Sequence, residues 1–175
     1  MKKTLVFVIV LIAINIKVSG QSAGISLGGG IISSNSPNVS SFATSLFIES
    51  PVLFNSFSIR LSFLYDADYN QILPNSTNIY NPFIKGISLK GLTTQNMTGN
   101  YYLDEGIGLL MINDRIFNTS DFIDYGFVIS LGAGIDLRND KPKGFRIGAG
   151  TDFGFTVTNS YAKYFSVHLM GQYFF

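Results

Sequence analysis

The stretch Tyr125-Gly-Phe-Val-Ile-Ser-Leu-Gly-Ala-Gly-Ile-Asp-Leu137 decides how this chain is read. Its odd positions, Tyr125, Phe127, Ile129, Leu131, Ala133, Ile135 and Leu137, are apolar without exception. Between them come Gly126, Val128, Ser130, Gly132, Gly134 and Asp136, which are mostly small or polar. A period of two is the period of a β-strand, whose successive side chains point to opposite faces. Thirteen residues of it make a long strand with one oily face and one spare face.

The composition of the spare face points to the class of fold. In a soluble sandwich the oily face turns inward, and the other face meets water with charged and polar residues. Here the second face is rich in glycine and serine, and glycine weakens a strand. A narrow barrel interior gives it a reason, because side chains from all round must share a tight lumen. Residues 144–156 repeat the design, with Phe145, Ile147, Ala149, Thr151, Phe153 and Phe155 against Gly144, Arg146, Gly148, Gly150, Asp152 and Gly154. Residues 56–65 do so again, with Phe57, Ile59, Leu61, Phe63 and Tyr65 alternating with Ser56, Ser58, Arg60, Ser62 and Leu64. An oily exterior around a small, polar interior is the inside-out arrangement of a transmembrane barrel.

Working outward, the pattern predicts eight strands near 24–33, 41–49, 56–66, 82–93, 101–112, 125–137, 144–156 and 164–175. Ser50-Pro51, Thr94 to Asn100, and Arg138 to Lys143 read as turns between strand pairs. The remaining connections, 34–40, 67–81, 113–124 and 157–163, include the two longest and all fall at the opposite end. In a transmembrane barrel the long ones lie outside. Glu105 breaks the pattern by sharing a face with Leu103, Ile107, Leu109 and Met111. Either it sits at the headgroup level or a bulge shifts the register there.

The start of the chain reads as an export signal. Lys2 and Lys3 precede the apolar run Leu5 to Ile14, and Val18-Ser19-Gly20 offers a cleavage site before Gln21. The expected division is therefore a signal peptide over 1–20 and a barrel over 21–175. The apolar run is too short to span a bilayer as a helix. Twelve basic residues less Lys2, Lys3 and Lys17 leave nine against eleven acidic ones, a mature net charge near −2. That balance lacks the basic face a nucleic-acid partner would require. Charged residues are only 13% of the chain and there is no cysteine, so backbone pairing and packing alone must hold the fold.

The chain closes on Tyr164-Phe-Ser-Val-His-Leu-Met-Gly-Gln-Tyr-Phe-Phe175, with Tyr173 and Phe175 on one face. This ending resembles the terminal strand of outer-membrane barrels, and the mature chain as a whole resembles the small OmpA/OmpX-type barrels. The resemblance implies that Tyr173 and Phe175 form an assembly signal read by the barrel assembly machinery. It also implies contact with outer-membrane lipids and lipopolysaccharide, and a structural or adhesive role. Phe174 departs from the pattern, since an interior polar residue is commoner there.

The inward parity places Arg60, Lys90, Asp104, Asp136, Arg146, Asp152 and His168 in the lumen. Charges so enclosed should pair, because isolated ones are costly. The expectation is an interior polar network that plugs the barrel, since eight strands leave room for little but side chains. Residues 156–160 are similar to the His-x-Ser-Asn-Ala stretch of outer-membrane lipid A deacylases. Only Asn159 matches; Thr156 and Thr158 stand at the histidine and serine positions, so nothing there activates a nucleophile. His168 is the only imidazole in the chain. Asp66, Asp68, Asp114, Asp121 and Asp124 fit no calcium-loop spacing and read as solvated loop acids. No catalytic residue, metal ligand or cofactor site is expected.

The function expected is non-enzymatic, in envelope integrity or surface contact through connections 67–81 and 113–124. Those connections carry Tyr69, Ile72, Leu73, Ile79, Tyr80, Ile116, Phe117 and Phe122. Two alternatives stand beside it. One is an acyl hydrolase acting on lipopolysaccharide or phospholipid. The other is a soluble, lipocalin-like barrel with the faces reversed, holding Phe127, Ile129, Phe145 and Ile147 inside.

Overall fold

The computed structural model describes residues 20–34, 38–52, 56–71, 82–114, 123–138 and 141–175. The expected signal peptide lies almost entirely outside them, as do residues 72–81 and 115–122 of the two long connections. Among the described residues no helix is long and apolar enough to cross a membrane, which says nothing about strands.

The strands are β1 (Ser22–Ser33), β2 (Val39–Pro51), β3 (Phe57–Asp68), β4 (Phe83–Asn96), β5 (Tyr101–Asp114), β6 (Ile123–Asp136), β7 (Gly144–Thr156) and β8 (Lys163–Phe174). Each pairs antiparallel with its neighbour in sequence, and β8 returns to β1 to close the barrel. The strands run longer than the sequence pattern indicated. Ser50 and Pro51 belong to β2 and Thr94 to β4, because ladder pairing continues into segments whose composition reads as turn.

Closure fixes the geometry. Across-strand partners lead from Asp104 to Gly132, Gly150, His168, Gly28, Ala43, Asp66, Ile84 and back to β5 at Asp114. The circuit returns ten residues further along the strand (114 less 104), the stagger of strands tilted by about 40°. The register of β5 advances one residue at a time against both neighbours. Glu105 is thus not displaced by a bulge and points outward.

The facing follows the parity. Phe127, Ile129, Phe145 and Ile147 are all exposed on the outer wall, with Ile129 at 50% and Leu169 at 70% of full exposure. The reversed facing of the lipocalin-like alternative is overturned by these exposures. Aromatic rings gather at both ends of the wall. Phe145, Tyr173 and Phe175 form one group near the termini, with centroids 4.8 and 6.1 Å apart. Phe127, Phe153 and Phe155 form another toward the far end, at 5.9 Å spacings, as do Tyr65 and Phe83.

The lumen is less uniformly polar than its glycines suggested. Toward the end away from the termini, Ile32, Leu64, Ile84, Leu110, Ile112, Val128, Ala162 and Tyr164 form a buried apolar cluster. Their strands carry apolar residues on both faces there, as in Leu109-Leu110-Met111-Ile112, so alternation no longer distinguishes inside from outside.

Candidate functional site: the barrel interior

The inner glycines make room for large side chains from neighbouring strands. A Cβ at Gly148 or Gly134 would collide with the Tyr102 hydroxyl, one at Gly24 with the Phe47 ring, and one at Gly154 with the Tyr164 ring. Phe47, Tyr102 and Tyr164 are all buried. Replacing Gly148 with leucine should destabilise the barrel by about 1–3 kcal/mol through overpacking. Ala149→Leu, on the outer wall, should leave urea unfolding in lipid vesicles nearly unchanged.

The end of the lumen nearer the termini holds one connected set of ions. Gln172 Nε2 donates to Ser22 Oγ at 2.7 Å and to Glu49 Oε2 at 3.1 Å. Glu49 accepts from Arg60 Nη2 and Nε at 2.7 and 2.9 Å, and from Ser58 Oγ at 2.8 Å. Arg60 also lies 3.6 Å from Asp104, and Arg146 lies 3.8 Å from Asp104 and 3.3 Å from Asp136. Asp104 accepts a further bond from Thr94 at 2.7 Å. At the rim, Arg138 grips Asp136 at 2.6 Å. Each guanidinium lies over a ring: Arg60 on Phe47 at 4.3 Å, Arg146 on Tyr102 at 4.1 Å, Arg138 on Phe174 at 3.7 Å. Phe174, the odd residue in the terminal strand, is therefore an inward platform for arginine, a contact that stabilises the cation.

A second, smaller set lies midway. Lys90 Nζ donates to both oxygens of Asp152 at 3.2 and 3.1 Å. His168 stands beside Gly150, whose absent side chain leaves it space. Between the two sets is a cavity of about 10 Å³ bordered by Arg60, Asp104, Ser130, Asp152 and His168. That is room for about one water molecule, and two of its bordering atoms, Asp104 Oδ2 and Ser130 Oγ, lack a hydrogen-bond partner.

The seven residues assigned inward by parity all lie on the lumen face, with Arg60, Lys90, Asp104 and Arg146 buried. Glu49 was missed although its parity with Ser41, Ala43, Ser45 and Phe47 was available; the strand simply ended there in the sequence reading. Asp66, Asp68, Asp114 and Asp124 are corrected from solvated loop acids to buried, inward residues at the ends of β3, β5 and β6. Asp124 accepts hydrogen bonds from Thr158 Oγ1 at 2.9 Å and from Ser160 Oγ. Those hydroxyls latch the short connection between β7 and β8 onto the start of β6. The latch also engages the Tyr125 amide, which donates to Thr158 Oγ1 at 2.9 Å. The turn itself needs Asn159 and Tyr161 at positive φ, +26° and +50°. His168 pairs with Gly150 and Gly28, well down the barrel from this latch. Among the described residues no three acidic or histidine side chains converge as a metal site would require.

A closed antiparallel barrel of eight strands, oily outside and filled inside, is the fold of small outer-membrane barrel proteins. Among solved structures, Neisserial surface protein A superposes with a TM-score of 0.70 at 10% identity, over 89% of this chain and 97% of that one. Ail, the attachment invasion locus protein of Yersinia pestis, solved with the heparin analogue sucrose octasulfate, gives 0.54 at 13% identity, over 90% and 100%. Neither a protein-family model nor a curated protein sequence matches the chain.

Proposed function

We propose that this is a bacterial outer-membrane protein that spans the bilayer with its eight strands and performs no catalysis. Its role is in envelope integrity or surface contact through connections 67–81 and 113–124. With both termini in the periplasm, those connections emerge at the cell surface. The observation that carries the reading is the contrast between walls: exposed aliphatic and aromatic side chains outside, an ion network and a buried apolar cluster inside.

Export through a cleaved signal over 1–20 and insertion guided by Tyr173 and Phe175 belong to the same reading. Lys85 and Lys163, the outward-facing cations near the surface end of β4 and β8, suit phosphate groups of lipopolysaccharide. The sulfated ligand of Ail is not carried over to this chain. Asp66, Asp68, Asp114 and Asp124 cluster at the corresponding end, where they would oppose a polyanion. A hydrolase reading has little to stand on, because Thr158 and Ser160 both serve Asp124 and the imidazole of His168 is elsewhere.

The test is conductance. Purified protein in planar bilayers should show no stable large openings, since the ion network and the apolar cluster crowd the lumen and the cavity between the two sets of ions has room for about one water. Steady nanosiemens-scale openings would overturn the plugged reading while leaving the fold intact.

A further inference from the structure

The connections at the end of the barrel nearer the termini carry their charge at one corner. Connection 138–143 holds Arg138, Lys141 and Lys143 against Asp140, while connections 52–56 and 97–100 hold no charged residue. Asp140 itself lies outside the described residues. Between connections 138–143 and 97–100 is a cavity of about 320 Å³ bordered by Asn96, Asn100, Tyr101, Asp136, Arg138 and Lys141. Its two sides are tied together, because the Asp136 amide donates to the Asn100 carbonyl at 2.6 Å.

Arg138 is fixed in place at this cavity. Its Nε donates to the two oxygens of Asp136 at 2.9 and 3.1 Å, and its Nη2 donates to Oδ2 at 2.6 Å. Its Cζ lies 3.7 Å from the centre of the Phe174 ring. Asp136 is shared with Arg146, 3.3 Å away, so its charge is already met from inside the barrel. Nη1 of Arg138 and Nζ of Lys141 have no acceptor among the described residues. Two cationic donors thus border one polar cavity, a set that suits a phosphate group.

The position of the cavity selects the source of that phosphate. Tyr101 is exposed on the outer wall, at the same end as the rings of Phe145, Tyr173 and Phe175. Aromatic girdles of this kind mark the membrane interface. A cavity bordered by Tyr101 therefore opens among lipid headgroups rather than out in the periplasm. We propose that it holds the phosphate of an anionic phospholipid from the inner leaflet, an inference that rests on the barrel spanning the membrane with its termini in the periplasm. Arg138 Nη1 and Lys141 Nζ donate to the phosphate oxygens, Asn96 meets the polar headgroup, and Tyr101 flanks the glycerol.

The test uses the protein refolded into phosphatidylcholine vesicles containing phosphatidylglycerol, released in mild detergent and weighed intact. The parent should retain one phosphatidylglycerol. Lys141→Gln should weaken its retention by about fivefold, and Arg138→Gln with Lys141→Gln by about twenty-fivefold, as expected for one and two cations at a membrane surface. Lys143→Gln, on the same connection but outside the cavity, should change retention by less than about twofold. Heat-modifiable gel mobility shows that each variant is folded; should the double variant not fold, Lys141→Gln against Lys143→Gln decides. Equal losses at Lys141 and Lys143 would reduce the site to general charge attraction and end the proposal. So would displacement of the lipid by inorganic phosphate, or binding of isolated peptidoglycan that Lys141→Gln abolishes. A folded barrel without lipid preference overturns this site alone, whereas failure to insert into vesicles overturns the membrane reading and the site with it.

Discussion

Arg60→Ala is expected to destabilise the folded barrel by about 3–5 kcal/mol, the cost of leaving buried carboxylates without their cation. Arg60 is 6% exposed and holds Glu49 through two hydrogen bonds while facing Asp104 at 3.6 Å. Removing it takes the only cation from Glu49 among the described residues and leaves Asp104 facing Arg146 alone at 3.8 Å. The chain has no tryptophan, so urea unfolding in lipid vesicles is best followed by gel mobility or circular dichroism. The double variant Glu49→Leu with Arg60→Met should recover most of the loss, because well-packed apolar side chains often replace a buried ion pair with little penalty. A single alanine variant within about 1 kcal/mol of the parent would mean that the network does not hold the lumen.

The second large effect tests the facing itself. Ile129 lies mid-way along β6 and is half exposed on the outer wall. In a bilayer, Ile129→Arg places a guanidinium near the midplane, with an expected cost of about 2–4 kcal/mol. Tyr125→Arg, on the same face near the surface end of the strand, should cost only about 0–1 kcal/mol. In a water-soluble barrel both substitutions would be nearly neutral. Equal, small effects at the two positions would therefore place this chain outside the membrane.

Much of this was legible before any coordinates. Strict alternation from Tyr125 to Leu137 and in residues 144–156 determines which side chains share a face, because a strand has a period of two and no other freedom of facing. Glycine on one face implies a crowded interior, and Arg60, Lys90, Asp104, Arg146 and Asp152 take their inward positions from parity alone. What parity cannot supply is distance across the lumen. That Lys90 meets Asp152, or that Arg60 and Arg146 share Asp104, depends on barrel closure with its ten-residue stagger.

The strand ends were the poorest reading. Ser50 and Pro51 look like a turn by composition, and Asp66, Asp68, Asp114 and Asp124 look like loop acids, because local preference favours acids and proline in turns. Ladder pairing with the neighbouring strands overrides that preference and carries each strand further, turning these acids inward. The sequence by itself determined the two faces of every regular strand, since alternation is a local property. Only the tertiary structure decided where strands stop, which charges meet and that Glu105 truly faces outward, since those follow from how distant segments pair around a closed ring.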